Sequence, residues 1–178
     1  ETAKGQMGVV QRYWPLMRSG KCARITFDAS LTAGGAFLVV GTSGDMRATK
    51  YIKTVWTKDD AASVQADFAN PKHQATWEIF MLLIALCTWM GELGDDCNLE
   101  VRGDAQGILQ NIVKGRAKSP AINLIVAEAQ LVLAPKCQYL TAIHWWSEHN
   151  HICDRLSRPA RHPEVPHQLK ECQQGDCV

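Results

Sequence analysis

No stretch of this chain stays apolar for long. The longest such run, residues 79–87, falls far short of the ~20 residues that a membrane helix needs. Neither a signal peptide nor another targeting segment is visible, and the sequence has no internal repeats. It opens at Glu1 without a methionine, which reads as a piece of something longer. The 7 cysteines are odd in number and form no CxxC pair, so a disulfide framework is not expected. That usage suits a reducing compartment, and the expected location is intracellular, cytoplasmic or nuclear, away from membranes. A formal net charge of +1 excludes a generally basic protein, so any nucleic-acid contact must come from local patches. Serine-hydrolase elbows (GxSxG), phosphate-cradling P-loops and the dinucleotide motif GxGxxG are all missing, and those three enzyme classes lack support.

What is present fits one globular domain, since 178 residues with 46% hydrophobic content can bury a substantial core. Residues 1–22 lack periodicity and read as a lead-in. Residues 23–30 and 35–42 read as two strands joined by a short glycine turn, and residues 49–57 as a third strand rich in β-branched and aromatic side chains. A polar loop is expected over 58–73. Residues 74–90 form a helix apolar on every face, which must therefore be buried nearly all round. A fourth strand over 98–102 leads to helices over 106–113 and 120–134, the latter with Ser119-Pro120 at its start. A fifth strand covers 138–145, a last helix 148–158, and a proline-punctuated flexible tail or linker is expected over 159–178.

Four acids stand in unfavourable places along this order. Asp28 ends the first strand, where aspartate is a poor strand former. Glu78 is the only charged residue within 76–90, and an isolated charge on a buried helix is costly unless paired or coordinated. Asp104 ends the fourth strand, at the carboxyl edge where open α/β sheets bind ligands. Asp154 lies in the last helix. Taken singly, Asp28 reads equally well as a turn residue and Glu78 as a structural acid paired with a buried base. As a set they suit magnesium, a hard cation that prefers carboxylate and water oxygens.

With its element order β-β-β-α-β-α-α-β-α, the chain resembles the ribonuclease H family, and in particular the RNase H domains of retroelements. The resemblance is carried by Asp28-Ala29-Ser30 with Gly34-Gly35-Ala36, by Trp77-Glu78-Ile79 and by Gly103-Asp104. The closing block from His144 to Arg158 matches the pattern H-x-x-G-x-x-N-x-x-A-D-x-L-S-R at His144, Asn150, Asp154, Leu156, Ser157 and Arg158. The resemblance spans residues 23–158. It implies an α/β fold with a five-stranded mixed sheet, three strands antiparallel and two parallel, flanked by helices.

It further implies hydrolysis of the RNA strand of RNA–DNA hybrids with two magnesium ions, for which manganese can substitute. Asp28 would bridge the ions, Glu78 and Asp104 would bind one, and Asp154 the other. Partners implied are the hybrid itself and a reverse transcriptase domain in the same polyprotein. Recognition of the 2′-hydroxyl would fall to Ala29, Ser30, Gly34, Gly35 and Asn150. The basic loop Lys114, Arg116, Lys118 reads equally as a phosphate grip or as a solvated surface.

The sequence departs from the pattern at Ala105, where relatives carry a polar residue, at Ser147 in place of glycine and at Cys153 in place of alanine. A zinc site among His144, His149, His151 and Cys153 is not expected, because no further ligand pair completes a tetrahedral set. The resemblance gives one of these histidines a part in product release without saying which. Two other readings stay open: a non-catalytic module of the same fold, and a nuclease or integrase-like transferase acting on DNA.

Overall fold

The computed structural model describes residues 9–11, 22–42, 45–93 and 97–175. Strand β1 (Val9–Gln11) precedes β2 (Cys22–Ala29), β3 (Ala33–Thr42) and β4 (Asp45–Val55). Helices α1 (Lys58–Ser63) and α2 (Gln74–Leu93) follow, then β5 (Cys97–Gly103), α3 (Gln106–Lys114) and α4 (Pro120–Leu133). The chain closes with β6 (Cys137–His144), α5 (His151–Leu156) and β7 (Gln173–Gln174). The strands make one mixed sheet in the order β1-β6-β5-β2-β3-β4-β7. β2, β3 and β4 are antiparallel neighbours, whereas β5 runs parallel to both β2 and β6.

Alternation along β2 decides which layer each side chain enters. Ala23, Ile25, Phe27 and Ala29 join the main core beneath α2, α3 and α4, while Arg24, Thr26 and Asp28 point to the other face. Helix α2 is the centre of that core. Trp77, Ile79, Met81, Leu82, Leu86 and Trp89 are fully enclosed, and Trp77 stacks on Trp56 with ring centroids 5.1 Å apart. Residues 71–93 are long and apolar enough to cross a bilayer by length and composition, yet 61% of their most apolar window is buried inside the domain. Most of the helix circumference is thus covered by protein, while a stripe through Phe80, Leu83, Ile84 and Cys87 is only partly buried or exposed.

Gly34 and Gly35 show why the first hairpin carries two glycines. A Cβ on Gly34 would run into Met81 Sδ and the Trp56 ring, and one on Gly35 into Leu156 Cβ. The two glycines let α2 and α5 approach β3 from opposite faces.

Three segments differ from expectation. The polar stretch 58–73 holds α1 and a 3₁₀ turn over Pro71–His73, not a plain loop. A reciprocal cap starts α1: Thr57 Oγ1 accepts from the Asp60 amide at 3.1 Å, and Asp60 Oδ2 accepts from the Thr57 amide at 2.7 Å. Ala61 and Val64 are buried in the core and Ala66 packs against it, too few to show as a helical period. Second, two short edge strands extend the five expected ones. β1 pairs antiparallel with β6, and the rest of the lead-in 1–21 lies outside the described residues. Third, the expected tail is placed against the sheet: Leu169 is buried with Tyr51 and Leu156, and β7 pairs with β4 through Lys50 and Tyr51. Its prolines space the turns of a strap across β4. The last helix is also shorter than 148–158, because residues 147–149 form a turn before it.

Candidate active site

Three of the four acids meet where β2 and β5 end. Asp28 is the penultimate residue of β2, Asp104 directly follows β5, and Glu78 projects from the first turns of α2. One carboxylate oxygen from each lies within 4.8 Å of the others. Asp28 and Glu78 are buried, at 5% and 4% exposure, and Asp104 is half-buried.

Each clustered carboxylate is held by a neutral donor. Gln74, one helical turn before Glu78, donates its Nε2 to Glu78 Oε1 at 2.9 Å and also lies 2.6 Å from the Ala29 carbonyl, which fastens α2 to the end of β2. Ser157 Oγ donates to Asp28 Oδ2. Ser147 Oγ donates to Asp104 Oδ2 at 2.8 Å. The His144 ring donates Nε2–H to the Asp104 carbonyl at 2.8 Å and meets the exposed Trp146 edge-on. Ser147, the residue standing where the pattern has glycine, is therefore a tether for the third acid.

Asp154 behaves differently. It lies outside the three-oxygen cluster and pairs with Arg158 Nε at 2.6 Å, four residues on and just past the end of α5. Its charge still reaches Asp28. Burial pushes the Asp28 carboxyl from 3.8 up to about 7; the Ser157 hydrogen bond opposes this, and the charges of Asp104 and Asp154 add to it. Burial likewise raises Glu78 well above the ordinary carboxylate range, helped by Asp28 and Asp104 and opposed by Gln74. Glu78 Oε2 is buried without a hydrogen-bond partner. A buried carboxylate oxygen with no donor, facing two further carboxylates, is an arrangement that a divalent cation would satisfy. The donor set is all oxygen, which fits magnesium or manganese and not a thiolate-loving metal.

The residues expected to touch substrate have other occupations. Ala29, Gly34 and Gly35 are buried. Ser30 closes the β2–β3 turn by accepting from the Ala33 amide at 3.1 Å, and its Oγ lies 2.7 Å from the Ser157 carbonyl. Asn150 is buried and donates Nδ2 to the Phe27 carbonyl at 3.0 Å, seating the start of α5 on β2. Cys153 is a neutral thiol, its pKa raised by complete burial, with Sγ 3.2 Å from the Thr26 carbonyl. Lys114, Arg116 and Lys118 are exposed around the left-handed cap Gly115, at the far end of α3. At 1.5 Å per residue, that helix carries them ~13 Å from the acids.

Sequence reasoning passed over Gln74, Ser147 and the bond from Ser157 to Asp28. Gln74 had a visible signal, its i, i+4 spacing to Glu78, and Ser157 stood in the closing block. Ser147 had none beyond its departure from the pattern.

Both the strand order and the position of the cluster define a ribonuclease H-like fold. The chain is similar to the crystal structure of RNase H1 from the halophilic archaeon Halobacterium salinarum NRC-1, with a TM-score of 0.51 and 17% sequence identity over 80% of this chain and 99% of that one. It is also similar to an RNase H1 isolated from compost by a metagenomic approach, at a TM-score of 0.47 and 18% identity over 78% and 93% of the two chains. No protein-family model and no curated protein matches the sequence.

Proposed function

We propose that this chain cleaves the RNA strand of RNA–DNA hybrids with the help of two divalent cations. One observation carries the reading: Asp28, Glu78 and Asp104 converge to within 4.8 Å, with a buried Glu78 oxygen left unpartnered. Likeness of fold to an RNase H1 supports it. Asp28, Glu78 and Asp104 would hold the first magnesium ion, and Asp28 with Asp154 the second. Such ions, when bound, supply the charge that offsets developing negative charge on the attacking and leaving oxygens.

The protein's own residues do the remaining work. Ser157, Gln74 and Ser147 fix the direction of the three carboxylates without neutralising them. The burial of Asp28 and Glu78 keeps competing water away from their oxygens. Arg158 parks the Asp154 carboxylate, and an exposed pair of this kind is worth only ~0–1 kcal/mol, so ligand exchange there is easy. Trp146, exposed beside the cluster, offers an aromatic surface to a base or sugar.

A retroelement origin and a reverse transcriptase domain in the same polyprotein rest on the closing block with Asp154, Leu156, Ser157 and Arg158. Reduced thiols at Cys87, Cys97, Cys137, Cys153 and Cys172 suit a reducing cytoplasm or nucleus. The direct test incubates the chain and its Asp28→Asn variant with a labelled hybrid and magnesium, beside RNA and DNA duplexes. Hybrid-specific cleavage by the parent alone is expected; equal cleavage by both, or none by either across magnesium and manganese, overturns the reading.

A second reading, a non-catalytic module of the same fold, is favoured by one observation: Asp154 sits with Arg158 outside the cluster. It predicts no hybrid cleavage even where added cation raises the melting temperature.

A further inference from the structure

Four residues back from Asp28 along β2, and two to four back from Asp104 along β5, ~7–13 Å toward their amino ends, lies a second constellation that uses none of the clustered acids. Arg24 on β2 and Arg102 on β5 flank Glu100, which faces Arg24 across the parallel pair. Both guanidinium groups donate Nε to the same oxygen, Glu100 Oε1, each at 2.5 Å. One carboxylate thus serves two half-buried cations, which leaves a net positive charge. Among the described residues neither guanidinium has any other hydrogen bond, so the forked ends of both are free to bind. Arg102 also lies over the Trp145 ring at 4.2 Å, and His149 meets the same ring edge-on. Arg24, Arg102, Trp145, His149 and His151 line an open cavity of about 240 Å³.

We infer that this cavity is an anion site for a phosphate monoester, bound by the free guanidinium edges of Arg24 and Arg102. The shape of the cluster selects the ligand class. Paired guanidinium forks match the oxygens of a tetrahedral phosphate in bidentate fashion. Glu100 leaves one unmatched positive charge, which favours an anion, and a phosphate monoester offers three oxygens to the two guanidinium forks where a carboxylate offers only two. His149 and His151, in the same lining, carry ring N–H groups that can donate, and Trp145 gives a nucleotide base an apolar surface on which to pack. The phosphate can come free or on a nucleotide, and the two sources are separable by experiment.

The test is calorimetric titration of the metal-stripped full chain with inorganic phosphate, 5′-AMP, adenosine and acetate in turn. Saturable binding of phosphate or 5′-AMP with Kd near ~1 mM or tighter is expected. Tighter binding of 5′-AMP than of phosphate identifies a nucleotide ligand, and equal binding identifies the free ion; either supports the site. Arg24→Gln and Arg102→Gln should each weaken binding about tenfold, and Glu100→Gln, which removes the competing carboxylate, should tighten it. The Glu100 variant keeps both arginines, so it answers the question even where an arginine variant folds poorly. Absence of saturable binding, acetate binding as tightly as phosphate, or weaker binding in Glu100→Gln overturns the inference. Because no divalent cation is present and the acids are untouched, failure here leaves the hydrolysis reading standing, and the reverse also holds.

Discussion

The three clustered acids and Asp154 are held by different kinds of partner, and the difference is instructive. Asp28, Glu78 and Asp104 each accept a hydrogen bond from a neutral side chain, whereas Asp154 is paired with a cation four residues on, just past its helix. A neutral donor sets direction and leaves the negative charge in place. An arginine discharges the group it orients. The cluster therefore keeps an uncompensated charge in a buried place, and the Asp28 carboxyl near 7 records the cost. Such a site is built for a counter-charge brought from outside.

The largest expected break in this contrast comes from neutralising the cluster. Asp28→Asn, Glu78→Gln or Asp104→Asn should each reduce hybrid cleavage on the order of 10³-fold in a steady-state assay. Without metal, Asp28→Asn should melt higher than the parent at alkaline pH, since it removes a buried, repelled carboxylate.

Next in size is the pH dependence of stability without metal. Asp28 titrates near 3.8 when unfolded and about 7 when folded. Between these values the folded chain retains a proton that the unfolded chain has lost, so stability falls as pH rises from about 4 to about 7 and levels off above that. Glu78, raised in the same direction, adds to the trend. Melting curves with added magnesium or manganese should lose this slope, because the bound ion replaces the proton.

The tethers rank below the acids. Ser157→Ala strips the buried Asp28 of its donor and should lower stability by about 1–3 kcal/mol near neutral pH, measured by urea unfolding. Ser147→Ala acts on a more exposed carboxylate and should weaken divalent binding only a few-fold in a titration, with little change in melting. Smallest of all is Arg158→Ala. It removes an exposed pair worth about 0.2–1 kcal/mol, and by freeing Asp154 it should hold or slightly improve cation affinity. A marked loss of affinity would mean that Arg158 does more than store the fourth acid.

Much of this was legible in the sequence because the strongest signals were violations of propensity. Asp28 and Asp104 stood at strand ends, and Glu78 was alone on an apolar helix; each anomaly resolves in the same cluster. The five main strands were legible for the related reason that alternation in β2 and β5 reports a buried face directly. What was hidden depended on choices between equally available partners. Asp154 has Arg158 at i+4 and the other acids across α5, and nothing in the order of residues says which side its carboxylate takes. Gly34 and Gly35 read as a backbone offered to a ligand, when close approach by Met81, Trp56 and Leu156 accounts for them. Edge strand β7 is two residues long, and α1 is anchored by Ala61 and Val64 with Ala66 packed beside them; neither length supports a period.

The central claim is most directly tested by titrating manganese into the metal-stripped chain at about pH 8, where Asp28 is ionised. Saturable binding should be lost in Asp28→Asn, Glu78→Gln and Asp104→Asn, and should persist at reduced strength in Asp154→Asn. Binding that survives Glu78→Gln unchanged, or that never appears in the parent, would contradict the account.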